Sequence, residues 1–153
     1  MTQNVTDRRK NISIYVDGSG PKPGEYAGKV GLYAVITYYT TATPGYGSSS
    51  TALPTQNSEQ RQYPGGRTNN QSELIAILKA LEFLNDYTDG WDEAVILSDS
   101  QLAVNAVNRH WKLKDPELIE INNKIQNLLR SVNNVSIEWI PRYLNTKADA
   151  LTR

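Results

Sequence analysis

The sequence predicts an α/β domain on a five-stranded mixed sheet, three antiparallel strands leading and parallel strands following, with helices on both faces. Three observations lead there. Alternating apolar positions open the chain without any helical stripe between them. The most uninterrupted apolar run, Ala94-Val95-Ile96-Leu97, reads as a buried strand lying between helical patterns. The elements then run β-β-β-α-β-α-α-β-α. Strands joined directly suit an antiparallel meander, and strands reached through a helix are parallel neighbours.

Ile12, Ile14 and Val16 alternate with Ser13 and Tyr15, a first strand ending at Asp17-Gly18-Ser19-Gly20. Taken alone, Asp17-Gly18 is also a hairpin-turn pair, because glycine supplies the positive φ that such turns need. A Gly- and Pro-rich loop leads into a second strand, 30–39, and the stretch 41–58 is rich in Ser, Thr, Pro and Gly with no charge, expected as a flexible insertion. A polar third strand, 59–63, fits a sheet edge and stops at Pro64-Gly65-Gly66. Leu74, Ile77, Leu78, Leu81 and Leu84 form one apolar helical stripe, with Asn69 or Asn70 as its N-cap. After the buried strand comes a short helix from Ser100 to about Asn108. Asp115-Pro116-Glu117 opens the next helix, with cap, first-turn proline and early acid in favoured places. Val135, Ile137 and Trp139 make the last strand, and Thr146 to Leu151 begins a helix that ends almost at once.

With 153 residues the chain fits one domain, expected over 11–153 behind a flexible tail, 1–10. Sixteen basic and sixteen acidic residues cancel, so nucleic-acid binding must come from local patches. The absence of cysteine excludes disulfides, and a single histidine makes zinc unsuitable. Carboxylates point instead to a hard ion such as Mg²⁺ or Mn²⁺. No apolar run reaches membrane-span length and the N-terminus lacks a signal-peptide centre, so the expectation is a cytoplasmic monomer with no membrane contact.

Four acids sit at element ends, and each has an ordinary alternative. Asn70-x-x-Glu73 has the form of a capping box, Asp99 is itself a good cap, and Asp149 fits a solvated helix position. The words around them carry more information than the acids alone. Asp17-Gly18-Ser19 follows a strand, Thr68-Asn69-Asn70-x-x-Glu73 opens a helix, Ser98-Asp99-Ser100-Gln101 follows the buried strand, and Asn145-x-x-Ala148-Asp149 closes the chain. In this order, over about 12–151, they resemble type 1 ribonuclease H.

The resemblance implies a sequence-nonspecific endonuclease that hydrolyses the RNA strand of RNA–DNA hybrids. Asp17, Glu73, Asp99 and Asp149 would be both catalytic residues and metal ligands, holding two Mg²⁺ ions, or Mn²⁺, against the scissile phosphodiester. Such converging anions repel one another, so ions should bind weakly until substrate phosphate completes the site. Gly18, Ser19, Thr68, Asn69, Asn70, Gln101, Arg142 and Asn145 match substrate-side positions. Among them, Asn70 and Gln101 match positions that read the minor groove, where 2′-hydroxyls mark RNA.

The chain departs from the better-known bacterial pattern in two places. Pro141-Arg142 stands where that pattern has a Gly-His loop, as in archaeal and plant-type relatives, which leaves Arg142 to contact phosphate. The long basic handle is reduced to Arg109-His110-Trp111-Lys112-Leu113-Lys114, either a hybrid-binding patch or a plain loop whose Trp covers the core. A hybrid-binding module without catalysis, or the nuclease domain of a reverse transcriptase, are the competing readings. Length and an initial Met1 favour a free-standing enzyme.

Overall fold

The computed structural model describes residues 8–40, 55–87 and 89–153. Five strands form one sheet: β1 (Arg8–Ser19), β2 (Lys29–Thr40), β3 (Thr55–Pro64), β4 (Glu93–Ser98) and β5 (Val135–Trp139), in the order β3-β2-β1-β4-β5. β1, β2 and β3 pair antiparallel, and β4 and β5 add in parallel. Between them come α1 (Asn69–Asn85), α2 (Gln101–Val107) and α3 (Pro116–Ser131), and the chain closes with a 3-10 turn (Arg142–Leu144) and α4 (Thr146–Ala150). The mixed sheet and its element order are those that the sequence predicts.

Pairing partners make several strands longer than their own residues suggest. Residues 8–10, expected in the tail, belong to β1, where Lys10 accepts from Asp92 N at 2.8 Å and donates its amide to Asp92 Oδ2 at 2.7 Å. Its ammonium also lies over the rings of Tyr38 and Tyr87. Residues 55–58, expected in the insertion, lie in β3 because the long β2 offers them a ladder. The rest of the expected tail and insertion, 1–7 and 41–54, falls outside the described residues.

One sheet face carries the core. Ile12, Ile14 and Val16 are in register with Ile36, Ala34 and Leu32 of β2 and with Ala94, Ile96 and Ser98 of β4, and all are buried. The stripe Leu74, Ile77, Leu81 and Leu84 lays α1 on β1 and β2, and α3 packs on α1 through Leu118 and Ile125. Each such fully buried aliphatic side chain contributes about 1.5–3 kcal/mol. Trp111 is half-exposed and does not join this core.

The opposite face is held at one end by α4. Gly31 of β2 has no side chain there, and a Cβ on it would lie 2.5 Å from Ala148 O and 2.7 Å from Leu151 Cβ. That close approach lets a helix of barely more than one turn sit beside Asp17, the residue paired with Gly31.

Candidate active site

Strand register brings the first two acids together. Val16 pairs with Ser98 across the parallel β1–β4 ladder, so Asp17 and Asp99 emerge next to one another at the carboxyl ends of neighbouring strands. Open α/β sheets bind ligands at such ends. Asp17-Gly18 is not a turn, because both residues continue β1 in register with Gly31 and Val30. Gly18 is needed for space: a Cβ there would stand 2.3 Å from the Ser72 carbonyl carbon and 2.6 Å from Glu73 N. The first turn of α1 therefore rests directly on β1 and delivers Glu73 to the same end of the sheet.

Glu73 does not cap its helix. The N-cap of α1 is Thr68, one residue before the expected Asn69 and two before Asn70, with its hydroxyl accepting from Gln71 N at 3.1 Å. Gln71 completes the cap region by accepting from Arg67 N at 2.7 Å. Asn69 is committed elsewhere, with Oδ1 accepting from Gly20 N at 2.5 Å. Asp99 is released from capping in the same way. Ser100 is the N-cap of α2, its hydroxyl accepting from Ala103 N at 3.1 Å.

The carboxylates act on one another. Asp17 is 9% exposed. Its carboxyl is pushed up from 3.8 to about 7, first by burial, then by the charge of Asp99, and further by Asp149. The Thr152 hydroxyl, donating to Asp17 Oδ2 at 3.1 Å, works in the opposite direction. Glu73 is raised by burial and by Asp99, against a hydrogen bond from Ser100 and the charge of Arg142. Asp149 is held below the usual carboxylate range by Arg153, which donates to its Oδ2 at 2.7 Å, with Arg142 adding charge 3.8 Å from Oδ1. Four acids distant in sequence thus share one field.

The eight residues matched to the substrate side divide by environment. Asn70 and Gln101 are exposed in the first turns of α1 and α2. Arg142 is exposed beside Asp149. Thr68 and Asn69 hold the start of α1, Gly18 supports it, and Ser19 donates to Thr152 O at 3.3 Å. Asn145 does not suit a substrate role, because it is fully buried, donating to Val16 O at 2.8 Å and to Asp99 Oδ2 at 3.1 Å. Sequence reasoning missed Thr152, Arg153 and Trp139, whose indole N–H donates to Asp99 O at 3.1 Å. Only Arg153 carried a signal, its four-residue spacing from Asp149 being that of a helical ion pair.

Chemically the site offers hard oxygen donors and no sulfur or imidazole, which suits Mg²⁺ or Mn²⁺. The Asp17 carboxyl, raised first by burial and then by the charge of Asp99, is a further mark of fit, since a divalent cation would offset both. Among the described residues no three His, Cys, Asp or Glu side chains are grouped so as to hold a metal ion by themselves.

Comparison with known proteins agrees with this geometry. Residues 56–153 match the family model described as reverse transcriptase-like. The bifunctional protein Rv2228c of Mycobacterium tuberculosis is 34% identical over 93 residues, which are 61% of this chain and 25% of that protein. Its N-terminal RNase H domain superposes with a TM-score of 0.62 at 27% identity, covering 93% of this chain and 90% of the solved one. Ribonuclease HI of Halobacterium salinarum is 37% identical over 87 residues, 57% of this chain and 43% of that protein. The chain thus spans less than half the length of these two relatives. LC11-RNase H1, solved in complex with an RNA/DNA hybrid, superposes with a TM-score of 0.61 at 30% identity over 92% of each chain. By sequence and by fold, the chain belongs to the reverse transcriptase-like family, with type 1 ribonucleases H among its relatives.

Proposed function

We propose that this protein hydrolyses the RNA strand of RNA–DNA hybrids, without regard to sequence, using two divalent ions held by Asp17, Glu73, Asp99 and Asp149. The observation that carries the reading is the convergence of these four carboxylates, from β1, α1, the β4–α2 junction and α4, where burial and the charge of Asp99 raise Asp17 and Glu73 while Arg153 holds Asp149 low. A binding module has no need of so many acids at one place, whereas a metal-dependent phosphodiesterase uses them to hold its ions. Divalent ions bound there supply Lewis-acid stabilisation of phosphate charge and acidify a water.

The chain's own residues supply positioning. Asp17 and Asp99 stand on rigid strand ends, and the Thr152 hydroxyl favours the charged form of Asp17 that a metal needs. In this reading Asn70 and Gln101, exposed at two helix starts, contact 2′-hydroxyls, so that sugar and shape are recognised. Arg142 contributes a cation on the same side for phosphate. That a relative was solved with an RNA/DNA hybrid supports the substrate class. The proposal takes the chain from β1 onward as one ribonuclease H-like domain, a cytoplasmic monomer; no helix among the described residues is long and apolar enough to cross a membrane.

Labelled hybrid, double-stranded RNA and single strands, incubated with Mg²⁺ and separately with Mn²⁺, test the proposal. Cleavage confined to hybrid RNA is expected, and Asp99→Asn should reduce it by more than about a hundredfold, the low end for losing one transition-state partner. Intact hybrid RNA, or equal cleavage by the variant, overturns the reading.

A further inference from the structure

We propose that Asn145 is a positioning residue that assembles the carboxylate site, fixing through three hydrogen bonds the chain ends that bear Asp17, Asp99 and Asp149. This rests on the reading of those acids as metal ligands. The side-chain amide donates to Val16 O at 2.8 Å, the carbonyl of the peptide that leads into Asp17. It donates to Asp99 Oδ2 at 3.1 Å. The backbone carbonyl of Asn145 accepts from Asp149 N at 3.0 Å, as the N-cap residue of α4. One residue therefore touches the strand end of β1, the carboxylate after β4 and the helix that aims Asp149.

Burial shows which part of the side chain matters. Asn145 is fully buried, so it does not reach a sugar or a phosphate. Its Oδ1 is buried with no partner. An unpaired buried carbonyl is destabilising, and an apolar side chain of the same shape would avoid it. Filling space is thus a poor reason for asparagine here. The donor end, with both protons engaged, is the useful one.

A neutral donor also suits the chemistry better than a cation. Lysine or arginine in this place would orient Asp99 while cancelling the charge that attracts a metal. An amide orients it and leaves that charge in place. Partners that orient metal ligands typically govern metal affinity or activity by about 10- to 100-fold.

The test uses Asn145→Leu, which keeps the shape and removes the donor, with Asn145→Ser as the second variant should the leucine fail to fold. Two quantities are read: calorimetric affinity of the purified metal-free protein for Mn²⁺, and kcat and KM on hybrid. Expected are a 10- to 100-fold loss of Mn²⁺ affinity, about the range for such partners, a fall in kcat and an unchanged KM. Unchanged Mn²⁺ affinity, or a rise in KM alone, overturns the inference. If wild type binds Mn²⁺ but cuts no hybrid, the ribonuclease reading fails, while loss of affinity in Asn145→Leu still supports positioning. A wild type that binds no Mn²⁺ overturns both.

Discussion

Arg153 places its guanidinium 2.7 Å from Asp149 Oδ2, so the carboxylate delivered by α4 already has a cation of the chain's own beside it. Arg142 stands 3.8 Å from the other oxygen. Both arginines are largely exposed, which screens the attraction and keeps each pair weak. The pairing still opposes a divalent ion at Asp149. Arg153→Ala is therefore expected to tighten Mn²⁺ binding a few-fold at low ionic strength, with the difference shrinking as salt rises. Calorimetric titrations of both proteins at two salt concentrations measure this. Equal affinities would mean that Arg153 serves only to close the last helical turn.

Gly18 and Gly24 predict opposite outcomes for the same substitution. At Gly18 a new Cβ meets backbone atoms of Ser72 and Glu73, which cannot swing aside as a side chain can. Gly18→Ala should destabilise the fold by about 1–3 kcal/mol through overpacking and should displace Glu73 as well. At Gly24 the space is open but φ is +87°, so Gly24→Ala should cost about 1–2 kcal/mol of left-handed strain while leaving cleavage intact. Urea denaturation together with the hybrid-cleavage assay separates the two. Equal loss of activity in both variants would detach Gly18 from the site.

Features with local causes are legible in this sequence, and those set by distant contacts are not. The α1 stripe is legible from its period and β4 from its short uninterrupted apolar run between helical patterns. That Asp17 and Asp99 share a site is implied only by the resemblance of their motifs; the register that sets them side by side, Val16 opposite Ser98, is not written in either strand. The cap of α1 was misplaced by one or two positions because Thr68, Asn69 and Asn70 all make good caps. The choice is made by the Gly20 amide, which takes Asn69 from 49 residues away. The early part of β3 was missed because its pairing comes from β2 and not from its own polar residues. Asn145 was given a substrate role through its neighbours in the motif; no pattern in the chain reveals that its amide points inward to Val16 and Asp99.

The raised carboxyl of Asp17 predicts how the metal-free protein responds to pH. Its folded value, about 7, lies above the 3.8 of an unperturbed aspartate, so between these values the folded state binds the proton more tightly than the unfolded state. Stability contributed by this group must then fall as pH rises, and the loss is complete above about pH 7. In chelator, the Tm should drop from about pH 5 to about pH 8, and Asp17→Asn should flatten that slope. Mg²⁺ should restore Tm at the upper end, because it compensates the charge that burial and Asp99 penalise. Calorimetric melts across this range check the sign; a Tm that rises with pH in both proteins would contradict it.

Thr152 allows the same carboxyl to be tuned without touching a charge. Its hydroxyl is buried, donates to Asp17 Oδ2 at 3.1 Å and lies 2.9 Å from Asp149 O, so one proton is shared between two acceptors. The bond to Asp17 favours the ionised form and lowers its pKa. Thr152→Val keeps the shape and removes the donor, and the Asp17 pKa should rise further. On the proposal that Asp17 is a metal ligand, which requires its ionised form, the acid limb of the kcat/KM profile in Mg²⁺ should move to higher pH, with the alkaline plateau nearly kept. Metal-free stability should fall at pH values where Asp17 is charged and stay close to wild type where it is protonated. A uniform loss of activity at every pH, with the limb unmoved, would instead reduce Thr152 to a packing contact beneath α4.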